Sequence, residues 1–110
     1  MENEKVIGYC TVPNEEVGKK IAALLVENRA AACGNLVPNL TSIYWWDNKI
    51  NQDPELLLII KSTQVKIPKI LELVKQAHPY QVPEIIFMPI IGGNPEYLAW
   101  IEKETSLGQK

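Results

Sequence analysis

Few of the 110 residues carry side chains suited to metal binding or nucleophilic chemistry: two cysteines, Cys10 and Cys33, and a single histidine, His78. A thiolate with an imidazole suits copper or zinc, whereas magnesium and calcium want oxygen donors. Two donors do not close a tight site, so a third would come from Glu84, Tyr80, water or another subunit. The stretch "KQAHPYQVPEI", 75–85, also allows a plainer use of His78. Pro79 disfavours helical backbone at the residue before it, so His78 can end a helix and meet its last carbonyls. Cys10 can likewise be a small apolar strand residue. Cys33 with Lys61 is a third constellation, because a cation beside a thiol lowers its pKa, but it lacks a histidine base.

Whether these residues meet depends on the elements that carry them. "KVIGYCTV", 5–12, mixes β-branched and aromatic residues and stops at Pro13, which predicts a first strand. Asn14 can cap a helix with Glu15 and Glu16 in its first turn, and Val17, Ile21, Leu24 and Leu25 form its apolar stripe, to about Asn28. "RAAACGNLVPNLTSIYWWDNKI" and "PELLLIIKS" predict a long hairpin turning at Asp47-Asn48, irregular near Pro38 and broken near Asp53-Pro54. Ile67, Ile70, Leu71, Val74 and Ala77 share one face of a second helix with Pro68 in its first turn. "EIIFMPII" predicts a fourth strand, and Asn94-Pro95 opens a short final helix.

The order β-α-β-β-α-β-α is the split βαβ, ferredoxin-like pattern of the α+β class, in one domain over 1–110 with an added C-terminal helix. Its sheet order, 4-1-3-2, sets the end of strand 1 beside the start of strand 4. Cys10 and the loop bearing His78 then share one edge, while Cys33 lies a strand length away, too far for a disulfide to Cys10. The hairpin tip carries Tyr44, Trp45 and Trp46, more apolar surface than so small a body covers, which predicts self-association.

Composition removes several functions. A net charge of −2, with 11 basic and 13 acidic residues and no basic run, gives no footprint for nucleic acid. "MENEKVIGY" lacks the basic start and long apolar core of a secretory leader, and no apolar run approaches the roughly 20 residues of a membrane span, so a cytoplasmic protein is expected.

"CTVPNEEVGKKIA", "LVENRAAACGNLVPNLTSIYWWDNKI", "LLIIKST", "AHPYQVPEII" and "GNPEYLAWI" closely resemble the CutA family of divalent-cation tolerance proteins, in register from about Tyr9 to Ile101. The resemblance implies a non-enzymatic, PII-like homotrimer that binds copper or other divalent ions. In bacterial relatives copper binding is assigned to the Cys of "CT.P" and to paired histidines before "PYQ.PE". Cys10 matches that Cys and His78 the second histidine, while Ala77 stands in place of the first. The alternative is a PII-like signalling or scaffolding module whose metal contact is incidental. Cys33, Lys61, Tyr80 and Glu84 match recurring family positions without an assigned role.

Overall fold

The structure, a computed structural model, describes residues 3–106. Its elements are β1 (Lys5–Val12), α1 (Glu15–Glu27), β2 (Cys33–Trp46), β3 (Lys49–Thr63), α2 (Ile67–Ala77, entered through a 3₁₀ turn at Gln64–Lys66), β4 (Ile86–Pro89) and α3 (Pro95–Ser106). One antiparallel sheet has the order β2-β3-β1-β4, the order that the chain pattern predicts. The local signals act where expected. Asn14 caps α1 through its Oδ1, which accepts from the Val17 N–H at 2.8 Å. Asp47 and Asn48 both take positive φ, the conformation of the tight turn that joins β2 to β3.

Alternation divides the sheet. Val6, Cys10 and Val12 on β1, with Leu58 and Ile60 on β3, face α1 and α2 and close the core with Ile21, Leu25, Ile70 and Val74. Position 8 shares this face, and it is a glycine where a Cβ would come within 2.7 Å of the Phe87 ring. Ile7, Tyr9, Thr11, Leu57, Ile59 and Lys61 face the other way. There α3 covers only one end, held by the Lys5–Glu102 ion pair at 3.1 Å, and leaves Val37, Ile86 and Met88 exposed.

Beyond Val12 the sheet continues as β2 and β3 alone, a protruding two-stranded ribbon. The radius of gyration, 14.5 Å, exceeds the roughly 13 Å of a compact chain of this length for that reason. Three expectations are corrected here. β3 is not broken at Asp53-Pro54: it runs through Pro54, which pairs with Thr41 where β3 has no β1 neighbour, the edge setting that tolerates proline. β4 is only four residues long, and α3 is a full 12-residue helix rather than a short one.

The irregularity near Pro38 is a β-bulge. Val37 faces Leu57 and Leu40 faces Glu55, so β2 carries one residue more than β3, with Asn39 at φ 66. That extra residue inverts the alternation of β2. Ser42, Tyr44 and Trp46 thereby join Thr11 and Glu55 on the open face, and Ile43 and Trp45 turn away.

Candidate functional site

Cys10 and His78 meet at one backbone atom. The Thr11 carbonyl accepts from the Cys10 thiol at 3.8 Å and from His78 Nε2 at 2.8 Å. A carbonyl only accepts, so Nε2 carries the proton, and Nδ1 takes the Tyr80 N–H at 3.1 Å. His78 sits in extended backbone (φ −84, ψ 134) just past α2, its N–H bonded to the Val74 carbonyl at 2.8 Å. It therefore ends the helix and ties the loop before β4 to β1. Both ring nitrogens are engaged within the chain.

The Cys10 sulfur points into the core and is fully buried. Burial, with smaller contributions from Glu84 and Glu55, pushes its thiol up to about 12, so it is protonated at neutral pH. A soft cation matches this pair by donor type, but to bind it must displace the thiol proton and turn Nε2 from the Thr11 carbonyl. Among the described residues no three His, Cys, Asp or Glu side chains form a group that could hold a metal ion.

On the opposite side of Thr11 lies a cleft of about 620 Å³ between the ribbon and the 79–85 loop. Its floor is Glu55, only 6% exposed. Glu55 Oε1 accepts from Ser42 Oγ at 2.5 Å and Oε2 from the Tyr80 hydroxyl at 2.7 Å. Desolvation of the phenol and this bond to Glu55 raise the Tyr80 pKa above the ordinary tyrosine value, which keeps the hydroxyl a donor. Thr11 Oγ1 reaches Glu84 Oε1 at 3.5 Å, and the Tyr44 hydroxyl bonds Asp53.

The sequence pointed to Tyr80 and Glu84 but missed Glu55 and Ser42, and gave Tyr44 only as an aromatic of the hairpin tip. A lone acid opening the apolar run "ELLLII" was the available signal for Glu55.

Cys33 and Lys61 face each other across β2 and β3 at the other end of the open face. Both are held by Asn35 Oδ1, the thiol at 3.5 Å, and burial, with a smaller effect of nearby Cys33, raises the Tyr97 phenol above its ordinary value. Lys61 lies four residues from Leu57, the partner of Thr11, roughly 13 Å along β3 at about 3.3 Å per residue. Within one chain Cys33 and Lys61 do not join Tyr80 and Glu84. Both cysteines are free.

A ferredoxin-like α+β chain with an overlong aromatic ribbon and a carboxylate-floored cleft is the class that these elements define. By sequence the chain belongs to the CutA1 family, described as "CutA1 divalent ion tolerance protein", which it matches over residues 6–104. It is 55% identical over 95 residues to the divalent-cation tolerance protein CutA of Thermus thermophilus, spanning 86% of this chain and 92% of that protein. The chloroplastic CutA 1 of Oryza sativa is 45% identical over 100 residues, 91% of this chain but only 56% of that protein. Among solved structures, the Thermus thermophilus divalent cation tolerance protein superposes with a TM-score of 0.89 at 51% identity, over 91% of this chain and 97% of that one. The CutA of Archaeoglobus fulgidus, described as periplasmic, gives 0.89 at 35% identity over 92% and 98%. Relatives are thus described from chloroplast and periplasm, and no described helix here is long and apolar enough to cross a membrane.

Proposed function

We propose that the chain works as a single-domain, non-enzymatic cytoplasmic homotrimer that contributes to the response to divalent metal ions by binding copper or a similar cation. The family match over residues 6–104 carries the cation reading. Self-association is supported by the uncovered open face and by the ribbon's outward face, where Ile43, Trp45 and Ile50 are 67%, 71% and 65% exposed. Cys10 and His78 are the proposed donors, because they converge on one atom, and a further ligand comes from solvent or a neighbouring copy.

The engaged state of both donors sets a testable pH dependence. A bound ion takes the place of the Cys10 proton, and that thiol, raised to about 12, is protonated between pH 6 and 8. Apparent Cu(II) affinity should rise about tenfold per pH unit across that range. Equilibrium titration should show this slope for the wild type and its loss in Cys10→Ala. Affinity flat with pH and equal in Cys10→Ala removes Cys10 as a ligand.

The closed hydrogen bonding of His78 favours a second reading, a PII-like signalling or scaffolding module with incidental metal contact. The flat titration is the result that this reading expects.

A further inference from the structure

We infer that the two ends of the open face meet between copies of the chain: the partner subunit's Lys61 enters the cleft between the ribbon and the 79–85 loop and pairs there with Glu84 and Glu55. The inference rests on the homotrimer reading and names the residues that such an assembly brings together.

The register of the strands sorts the charges on this face. At one end lie Glu55, 6% exposed, and Glu84, whose Oε1 is 3.5 Å from Thr11 Oγ1. Among the described residues no cation comes within ion-pair distance of either carboxylate, and Glu55 is held by the Ser42 and Tyr80 hydroxyls alone. A carboxylate this buried is costly without a counter-charge. At the other end stands Lys61, which likewise has no carboxylate within ion-pair distance among the described residues. Its side-chain bond goes to the neutral Asn35 amide oxygen, and an ammonium has three donors, so donors remain free. Within one chain roughly 13 Å of β3 separates the two ends, at about 3.3 Å per residue.

Between those ends Val37, Ile86 and Met88 are 43%, 53% and 39% exposed, an apolar band for a second copy to cover. A closed ring of three is built head-to-tail, so each contact joins two different patches of the same surface. Docking acid end to acid end, or base end to base end, would set like charges together, whereas acid end to base end satisfies both. Tyr44 and Trp46 at the mouth of the cleft suit the methylene stem of a lysine as well as its charge. The Cys10 sulfur points into the core, so this contact is independent of the copper reading.

Two measurements on the assembled protein test the contact. Carbodiimide joins an amine to a carboxylate that touches it, and mass spectrometry of the digest, from a mixture of isotope-labelled and unlabelled chains, distinguishes bonds between copies from bonds within one. Wild type should yield Lys61–Glu84 or Lys61–Glu55 peptides between copies, and Lys61→Arg should yield none. Sedimentation velocity over a dilution series, with circular dichroism to check the fold, then reads charge reversal. Lys61→Glu and Glu84→Lys should each weaken assembly about tenfold or more, and the double variant, which restores an opposite pair at every contact, should recover most of that loss. A trimeric wild type that gives no such peptide between copies, or a double variant no tighter than the weaker single one, overturns the inference and leaves the trimer standing. A wild type that sediments near the 12.4 kDa of one chain removes the trimer reading itself, and this contact with it.

Discussion

His78→Ala should destabilise the protein by about 2–5 kcal/mol, in the presence or absence of metal. The imidazole is 7% exposed and satisfies two backbone groups, the Thr11 carbonyl and the Tyr80 N–H. Its removal leaves the Tyr80 N–H without its acceptor and the Thr11 carbonyl with only the long Cys10 thiol contact, at about 1–3 kcal/mol for each group so deprived, and opens a void beside the Tyr80 ring, 4.6 Å away between centroids. The damage extends into the cleft, because the freed loop carries the hydroxyl that holds Glu55. Urea unfolding of wild type and variant at equal protein concentration, with and without chelator, measures the effect. A loss under about 0.5 kcal/mol with chelator, or one that appears only with metal, would show that the histidine does not tie β1 to the loop.

Charging the ribbon should abolish assembly while sparing the fold. Trp45 and Ile50 stand directly opposite each other across β2 and β3 and are 71% and 65% exposed, outside the core formed under α1 and α2. Burial of two such side chains at an interface is worth about 3–6 kcal/mol, or roughly 10²–10⁴ in a dissociation constant. Trp45→Lys/Ile50→Lys removes that term and adds two charges per ribbon. Sedimentation velocity at micromolar concentration should show the wild type near three times the 12.4 kDa of one chain and the variant near one. The circular dichroism spectrum should stay unchanged. A variant that remains trimeric would place the contact on the open face instead.

The order of elements was legible because each rests on a local signal. Pro13, Asn14, Asp47-Asn48, Pro79 and Asn94-Pro95 mark boundaries, and the apolar spacing of Ile67 to Ala77 gives the face of α2. From those elements alone the sheet order brought Cys10 and His78 to one edge. What the sequence could not reveal depended on registration between distant strands. Pro38-Asn39 announced an irregularity, but its consequence, that Ser42, Tyr44 and Trp46 share a face with Glu55, follows from one unmatched residue in the β2–β3 pairing. Pro54 misled in the other direction, since a proline is compatible with a strand once its neighbour on one side has ended. The hydrogen bonds of His78 were likewise invisible, because Thr11 lies 67 positions away and contributes a backbone atom that any residue type would supply.

Native mass spectrometry of the wild-type protein against increasing Cu(II), with Cys10→Ala alongside, tests the central claim most directly. The account predicts three chains per particle for both proteins, with copper taken up to one ion per chain by the wild type and not by the variant. A wild-type particle that takes up no copper, or as much as Cys10→Ala takes up, would contradict it.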